Sequence, residues 1–226
     1  MKIKIYARDR EKLPCLKKKI LKLNPKARFS NKPDIIICFG GDGTLLHAEK
    51  LNPQVPKLVI RDKSICKTCN TGDLKTILTK FFKNQYEIKD EIKIEAIAKN
   101  KKLIATNDVV IRNADQHHAI RFEVKTDREK IDAIGDGVVV ATPFGSTAYY
   151  NSITRNTIKK GIGIAFNNTT EEIKPINTEK NIKIKIKRNK AYLTSDNHSK
   201  KIILQEGDEI IIQKSKEKLK LIKIIN

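Results

Sequence analysis

The chain has 226 residues, of which 39% are hydrophobic and 32% are charged, and its formal net charge is +21. This length suits one large domain or two small domains with hydrophobic cores of their own. No stretch approaches the roughly 20 continuous apolar residues that a membrane-spanning helix needs, and the amino terminus alternates Lys with Ile instead of forming an apolar signal core, so we expect a cytoplasmic protein without a membrane partner.

The first 88 residues alternate between predicted strands and predicted helices, which is typical of an α/β domain. The apolar run that ends at Phe39 is almost continuous, as expected of a parallel strand that is buried on both faces. The predicted strands are Lys2–Tyr6, Asp34–Phe39 and Lys57–Ile60, and the predicted helices are Arg10–Leu23, Thr44–Leu51 and Asp73–Lys83.

From residue 89 to residue 226 the apolar residues recur with a period of two, which predicts a second, β-rich domain. The pattern leaves open a return of the last strand to the first domain. The predicted strands are Ile92–Ala98, Leu103–Asn113, Ala119–Lys125, Gly137–Ala141, Ile162–Phe166, Ile182–Lys187, Ile202–Leu204, Glu209–Gln213 and Leu219–Ile225.

The positive charge is mostly lysine, and in residues 182–187 it alternates with isoleucine. Such alternation favours solvated strand faces, although a charge of +21 also suits nucleotides or polyphosphate. A dedicated nucleic-acid surface usually mixes Arg with aromatic residues, and this mixture is absent, so we do not expect nucleic acid as a partner.

A Cys-x-x-Cys spacing occurs at Cys66 and Cys69. It is half of a zinc site, but no second pair follows at the distance that zinc requires. It also lies some way after the nearest strand, unlike a thioredoxin-type pair at the start of a helix. Two interpretations stay open: a reduced pair that packs a loop, and a local disulfide.

A glycine-rich loop, residues 40–44, follows the buried strand and precedes a predicted helix. Ligands bind beyond the carboxyl ends of parallel strands, and glycines together with a helix amino terminus suit phosphate groups. The loop is not a P-loop, because the Gly-Lys-Ser/Thr ending is missing. Asp42 within it can take a proton from a hydroxyl or hold a divalent cation, and Thr44 can cap the helix. The alternative is an ordinary tight turn.

Three further motifs follow in order: Asn107-Asp108, Asp136-Gly137 and the segment Thr142–Tyr149, which reads Thr-Pro-Phe-Gly-Ser-Thr-Ala-Tyr. Together with the glycine-rich loop, they closely resemble the pattern of the NAD kinase family, in its archaeal-like, ATP- or polyphosphate-dependent form. The resemblance reappears at residues 195–198 and 205–208. It implies a two-domain architecture with an α/β domain followed by a β-rich domain.

The resemblance implies that Asp42 is the general base that deprotonates the 2′-hydroxyl of the adenosine ribose of NAD. It implies ATP or polyphosphate as phosphoryl donor and a divalent cation, Mg²⁺, without protein side chains dedicated to the metal. It places the phosphates along Gly40, Gly41, Gly43 and Thr44. The implied NAD contacts are Asp42, Gly43, Asn107, Asp108, His118, Asp136, Thr147, Ala148, Tyr149, Tyr150, Asn151 and Ser152, and further pocket candidates are Phe144, Asn197 and His198.

Several positions depart from the family pattern. Asp108 replaces the family's Glu, Phe144 replaces a small or hydroxylated residue, and residues 61–69 replace a glycine-containing loop. Asp108 can instead be a strand-end residue, the two tyrosines can be core or rim aromatics, and His118 and His198 can be solvated. These departures affect substrate and donor preference but leave Asp42 in place.

The sequence therefore predicts an NAD kinase that forms NADP. Because members of the family assemble as dimers or tetramers, the resemblance also implies a homodimer or homotetramer. A lipid or sugar kinase that shares the Gly-Gly-Asp-Gly loop is the alternative enzyme. A relative that binds a dinucleotide or nucleic acid without catalysis is the alternative outside enzymes.

Overall fold

The computed structural model describes residues 1–62, 66–196 and 199–225. The chain divides into two compact units. Unit 1 contains Met1–Glu91 together with the carboxyl-terminal residues from Glu217, and unit 2 contains Ile92–Lys216. Within the described ranges, no helix has the length and apolar character that a membrane crossing requires.

Unit 1 is an α/β unit with a parallel sheet. In chain order its elements are β1 (Lys2–Ala7), α1 (Leu13–Leu23), β2 (Arg28–Phe29), β3 (Ile35–Gly40), α2 (Asp42–Leu51), β4 (Lys57–Arg61) and α3 (Leu74–Phe82). The strands lie in the order β2-β1-β3-β4, and every neighbouring pair is parallel. The carboxyl-terminal strand of the chain adds to the edge of β4, with Leu221 and Ile222 opposite Lys57 and Leu58.

The helices of unit 1 begin near the predicted residues, with local reasons for each difference. The predicted helix from Arg10 starts as a 3₁₀ turn over Arg10–Lys12, and α1 follows with a proline in its first turn, where no backbone N–H is needed. Asp73 is not inside α3 but caps it, since its carboxylate accepts the N–H groups of Lys75 and Thr76 at 2.9 and 3.0 Å.

The prediction that Thr44 caps α2 is wrong. The helix begins at Asp42 with Gly41 as its N-cap residue, and Gly41 has an extended backbone. The carbonyl of Gly41 accepts the N–H groups of Thr44 and Leu45 at 3.0 and 3.3 Å. Thr44 is therefore the third residue of the helix, and Asp42 stands at its positive end.

Unit 2 is rich in antiparallel strands. In chain order the elements are β5 (Tyr86–Ala98), which starts in unit 1, then β6 (Lys101–Ala105), β7 (Asp108–Asn113), β8 (Ile120–Lys125), β9 (Lys130–Ala141), α4 (Tyr149–Thr154), β10 (Ile162–Thr169), β11 (Ile176–Thr178), β12 (Ile182–Arg188), β13 (Ala191–Ser195), β14 (Ile202–Leu204) and β15 (Glu209–Ile224). The strand order is β14-β13-β7-β9-β8-β12-β15, and β10 pairs with β9 and β11. A core of alternating Ile, Val and Leu side chains lies against these strands.

The motif Asp136-Gly137 lies where β9 changes its partners. Residues from Lys130 to Gly135 pair with β8, whereas residues from Gly137 onward pair with β7, and β10 pairs on the other side from Gly135 onward. Gly137 has a φ of 147°, and a methyl group there would overlap the carbonyl of Ile111. Only glycine fits such a close approach of two backbones.

Several strand predictions are wrong. The strands β5 and β9 begin at Tyr86 and Lys130, before the predicted Ile92 and Gly137, and β11 and β13 are not among the predicted strands. The predicted strand Leu103–Asn113 is two strands, because the chain turns at Thr106 and Asn107. The predicted strands at 209–213 and 219–225 are one strand, β15, whose first part belongs to unit 2 and whose last part belongs to unit 1. The polar middle of β15 carries no apolar alternation, and across it the buried positions change from Ile210 and Ile212 to Ser215, Leu219 and Leu221, so hydropathy alone does not show that the strand continues.

Candidate active site

The glycine-rich loop connects the carboxyl end of β3 to the amino end of α2. Gly40 lies under Thr44, and a methyl group on Gly40 would clash with the Thr44 hydroxyl. Gly43 is exposed, and among the described residues no atom beyond its chain neighbours and its own helix backbone lies within 4 Å of the place where its side chain would begin. The structure therefore explains Gly40 by internal packing and leaves open space in front of Gly43.

A cavity of about 750 Å³ lies in front of this loop, within unit 1. It is lined by Lys4, Ile5, Tyr6, Ala7, Arg8, Arg10, Leu13, Gly41, Asp42, Gly43, Thr44, His47 and Leu51. The side chains of Tyr6 and His47 meet edge to face with their ring centres 5.6 Å apart, and Asn52 donates to the Tyr6 hydroxyl at 2.8 Å. A helix amino terminus and three long basic side chains make this cavity suitable for an anion.

The Asp42 carboxylate is half-buried and receives hydrogen bonds from a neighbouring loop. Thr68 donates its hydroxyl to Oδ1 at 2.6 Å, and the backbone N–H of Lys67 donates to Oδ2 at 3.3 Å. Cys66 and Cys69 flank these two residues and are joined by a disulfide. The structure therefore agrees with the second interpretation of this cysteine pair, a local disulfide.

The turn between β6 and β7 in unit 2 holds the Asn107-Asp108 pair. Its backbone is fixed by Asp196, whose carboxylate accepts the N–H groups of Thr106, Asn107 and Asp108 at distances from 2.7 to 3.3 Å. Asp196 stands directly after β13, which pairs with β7. The turn that splits the predicted strand is thus made by a residue almost ninety positions away.

Asp108 is 6% exposed. Burial, followed by the nearby negative charge of Asp196, raises the pKa of Asp108 from 3.8 to about 7. A carboxyl group that keeps its proton to near neutral pH can donate a hydrogen bond as well as accept one.

The Thr142–Tyr149 segment packs directly on the same turn. The Thr142 hydroxyl donates to the carbonyl of Thr106 at 2.6 Å and accepts the N–H of Gly145 at 2.9 Å. A methyl group on Gly145 would overlap the backbone of Asn107. In the Thr-Pro-x-Gly motif, Thr142 therefore holds the turn by hydrogen bonds, and Gly145 allows the close approach to the Asn107 backbone.

A pocket of about 460 Å³ opens at this turn, within unit 2. Its lining combines acidic, amide, aromatic and basic side chains. They are Asn107, Asp108, Val110, Arg112, Asn113, Ala148, Tyr149, Tyr192, Thr194 and Asp196. Four residues predicted to contact NAD, namely Asn107, Asp108, Ala148 and Tyr149, come together here.

The other residues predicted from the Tyr149 region lie elsewhere in unit 2. Tyr150 is 3% exposed and packs against Val139, Ala141 and Ala165 in a small core cluster. Asn151 donates to the carbonyl of Asn156 at 3.1 Å, and the hydroxyl of Ser152 donates to the carbonyl of Tyr149 at 2.7 Å. Two further residues, Thr147 and Phe144, belong to the 3₁₀ turn that precedes α4, where Thr147 is exposed and Phe144 half-buried.

Two further predicted contacts, His118 and Asp136, also lie outside the lining of this pocket. His118 is exposed, with Nδ1 2.7 Å from the carboxylate of Asp115, and it lines a different cavity beside Lys190. Asp136 accepts a hydrogen bond from the Asn168 side chain at 3.1 Å. The candidates Asn197 and His198 lie outside the described residues.

Sequence reasoning missed several residues that line or organise the two cavities. These are Arg8, His47 and Thr68 in unit 1 and Arg112, Tyr192, Thr194 and Asp196 in unit 2. Asp196 had a signal, since the resemblance reappears at residues 195–198. The others carry no local motif, because strand pairing and loop packing bring them into place.

The comparisons with known proteins agree with this arrangement. The family model described as the ATP-NAD kinase C-terminal domain matches residues 106–224, which is more than half of the chain. The chain belongs to the NAD kinase family. The match begins at the Asn107 turn and includes the pocket residues of unit 2.

Relatives within the NAD kinase family cover the whole chain. A protein of Sulfurisphaera tokodaii named NAD kinase is 29% identical over 240 residues, which cover 100% of this chain and 96% of that protein. The crystal structure of an NAD kinase from Archaeoglobus fulgidus in complex with ATP matches with a TM-score of 0.84 at 18% identity, over 99% of this chain and 94% of that one. Yeast NADH kinase complexed with NADH matches with a TM-score of 0.82 at 18% identity, over 99% and 83%.

The family assigned from the sequence motifs is thereby confirmed. The predicted fold class, an α/β amino-terminal domain and a β-rich carboxyl-terminal domain, is confirmed as well. NAD kinases are enzymes, so the prediction that this protein is a kinase is confirmed as well.

Proposed function

We propose that the protein transfers the terminal phosphoryl group of ATP or polyphosphate to the 2′-hydroxyl of the adenosine ribose of NAD, giving NADP. Family membership supports phosphorylation of NAD as the class of reaction. The observation that carries the proposal is the position of Asp42, at the amino end of α2 and in the wall of a cavity that basic side chains also line. The donor and the roles of individual residues are our proposal.

Asp42 acts as the general base. Its carboxylate takes the proton of the ribose hydroxyl as the hydroxyl oxygen forms a bond to phosphorus, and the bond from phosphorus to the leaving phosphate oxygen breaks. Phosphoryl transfer asks little covalent chemistry of a protein, and positioning together with charge neutralisation does most of the work. A half-buried carboxylate that two neighbouring donors hold in one orientation suits this step.

The glycine-rich loop binds the phosphates of the donor. Gly40, Gly41, Gly43 and Thr44 lie at the positive end of α2, and the open space before Gly43 lets phosphate oxygens approach the backbone. The side chains of Lys4, Arg8 and Arg10 supply positive charge along the same cavity.

The residues around this cavity fit a magnesium ion that arrives with the donor. Mg²⁺ keeps several waters and usually binds one or two carboxylates together with substrate phosphates. Among the described residues, Asp42 is the carboxylate in the lining, and no group of three or more His, Cys, Asp or Glu side chains forms a cage for a metal. Asp42 and the donor phosphates would hold the ion, which would neutralise charge as the phosphoryl group moves.

The pocket of unit 2 binds NAD. Asn107 and Asp108 supply hydrogen bonds, and Tyr149 supplies a ring face for the nucleotide. An Asp108 that keeps its proton near neutral pH donates to a ribose hydroxyl and does not repel the diphosphate. Asp136, His118, Thr147, Asn151 and Ser152 remain predicted contacts, and Tyr150 has a supporting position beneath the pocket wall.

The experiment measures NADP formation from NAD by purified protein with ATP, with polyphosphate or with neither. We expect Asp42→Asn to lower kcat by about 10²–10⁴-fold, the usual cost of losing a general base. Asp90→Asn, at an exposed aspartate of the same unit, is the matched control and keeps the rate. An Asp42→Asn variant that folds and forms NADP at the wild-type rate contradicts the assignment.

A panel of acceptors with labelled ATP separates the alternatives. Phosphorylation of a lipid or a sugar, but not of NAD, identifies the alternative kinase. Salt-sensitive binding of nucleic acid without any NADP identifies the non-catalytic relative. A homodimer or homotetramer and a cytoplasmic location remain predictions, which sedimentation and cell fractionation test.

A further inference from the structure

The loop from Cys66 to Asn70 lies against the proposed general base, within unit 1. Thr68 and Lys67 donate hydrogen bonds to the two carboxylate oxygens of Asp42, at 2.6 and 3.3 Å. The disulfide between Cys66 and Cys69 closes the backbone of these two residues into a small ring. The two donors to Asp42 therefore lie inside the ring.

The other side of this loop is fixed to two strands of unit 1. Lys223 of β15 donates its ammonium to the carbonyl of Thr68 at 2.7 Å. The Asn70 side chain donates to the carbonyls of Val59 and Ile222 at 3.1 and 3.0 Å and accepts the N–H of Ile224 at 2.9 Å. Asn70 and the Thr68 carbonyl thus fix one side of the loop to the strands, while the Cys66–Cys69 ring closes the backbone that carries the donors to Asp42.

The two sulfur atoms also lie close to the glycine-rich loop. Sγ of Cys66 is 3.7 Å from Oδ1 of Asp42, and Sγ of Cys69 is 3.5 Å from the carbonyl oxygen of Gly40. As members of a disulfide, neither sulfur carries a hydrogen to donate. After reduction each carries one, so the Cys66 thiol becomes a competing donor to the oxygen that Thr68 now contacts.

We propose that Thr68 is a positioning residue for the Asp42 carboxylate, and that thiol–disulfide exchange at Cys66 and Cys69 switches this contact on and off. The proposal rests on the proposed function of Asp42. The oxidised protein is the faster kinase, because the closed ring holds the Thr68 hydroxyl on the carboxylate. Reduction opens the ring and adds a thiol donor, and both changes disturb the orientation of the base.

The exchange needs an external dithiol as reductant. One of its thiolates attacks a sulfur of the disulfide and forms a mixed disulfide, and its second thiol then releases the protein. Two electrons pass from the dithiol to the protein disulfide, and Cys66 and Cys69 each end with one proton. Both cysteines are half-buried and Lys67 between them is exposed, so a small dithiol can reach the bond.

The first test changes Thr68 alone. Thr68→Val keeps the shape and removes the hydroxyl, and we expect kcat to fall roughly 10- to 100-fold, as for a hydrogen bond to a charged group. The KM for NAD should change less than about twofold, because a positioning role acts on the step rather than on binding. Thr68→Ser restores most of the rate. A Thr68→Val variant with wild-type kcat, or one that raises only KM, overturns the positioning role.

The second test changes the redox state of the full chain. Air-oxidised protein is compared with protein treated with dithiothreitol, and alkylation followed by peptide mapping reports the state of each cysteine. We expect dithiothreitol to lower kcat at least about fivefold and reoxidation to restore it, in keeping with the loss of one oriented contact. The double variant Cys66→Ser/Cys69→Ser should be slow and should not respond.

The matched control is the double variant Cys15→Ser/Cys38→Ala, which removes the two free cysteines and keeps the redox response. Equal rates before and after reduction overturn the switch, as does loss of the response in this control. Cys66 and Cys69 found unpaired after air oxidation also overturn it. If no form of the protein makes NADP, the proposed function itself fails, which is distinct from NADP formation at one rate in both redox states.

Discussion

Asp196 and Asp108 are joined by hydrogen bonds in both directions. The N–H of Asp196 donates to the carbonyl of Asp108 at 2.9 Å, and the N–H of Asp108 donates to the Asp196 carboxylate at 3.3 Å. The same carboxylate accepts two further backbone N–H groups of the turn. The end of β13 thereby fixes the Asn107-Asp108 pair that we propose for NAD binding.

Removal of the Asp196 carboxylate should weaken NAD binding more than it weakens the fold. Asp196→Ala leaves three N–H groups of the turn without this acceptor, so we expect a loss of about 1–3 kcal/mol in the free energy of unfolding. We also expect the KM for NAD to rise roughly tenfold or more, because a displaced turn misplaces Asn107 and Asp108. Chemical denaturation and steady-state kinetics measure the two effects.

Asp73→Ala is the control for this experiment. Asp73 also accepts two backbone N–H groups, but it does so at the start of α3 and not in the pocket. It should lower the unfolding free energy by about 1 kcal/mol and leave the KM for NAD unchanged. Similar changes of KM in the two variants would contradict a local role for Asp196.

The pKa of Asp108 makes stability depend on pH. Burial, helped by the charge of Asp196, raises the pKa of Asp108 from 3.8 to about 7, so between these values the folded state holds a proton that the unfolded state has lost. The contribution of Asp108 is therefore fully present below about pH 4 and is lost as the pH rises through about 7. We expect Asp108→Asn to remove this fall from the pH dependence of the unfolding free energy.

Denaturation of both proteins at several pH values from 4 to 8 checks this expectation. The unfolding free energy of the wild type minus that of Asp108→Asn should decline by about 1.4 kcal/mol per pH unit between the two pKa values of Asp108. Above the upper value it should become constant. A difference that is flat, or that rises with pH, shows that the folded state does not retain the proton.

Substitution of Gly43 tests whether this glycine has a structural role or binds phosphate. Within the part of the chain that the structure describes, alanine at this exposed helix position meets no atom within 4 Å outside its own helix backbone and chain neighbours, so Gly43→Ala should raise the unfolding free energy by up to about 1 kcal/mol through helix propensity. If phosphate oxygens approach the backbone here, the same variant should raise the KM for ATP roughly tenfold or more. A stabilised variant with unchanged KM for ATP would remove Gly43 from the phosphate site.

Much of the fold follows from local patterns. The buried run before Phe39, the period-two runs after residue 89 and the capping residue Asp73 lie where the sequence predicts strands and a helix start. Hydrophobic periodicity reports which face of an element is buried, and it does so without knowledge of the partner. The predictions fail at residues 103–113 and 209–224, where a break and a continuation depend on pairing with distant strands, and they omit the short strands β11 and β13.

The sequence by itself determined the order of the elements, the family and the identity of the proposed base, because each depends on residues that are close in the chain. Only the tertiary structure decided that Asp196 holds the Asn107 turn, that Thr68 contacts Asp42, and that Tyr149 lines the pocket while Tyr150 packs in the core. These contacts are set by strand register and by loops anchored on other strands. A register relates residues as distant as Ser195 and Val109, and no local periodicity encodes such a pairing.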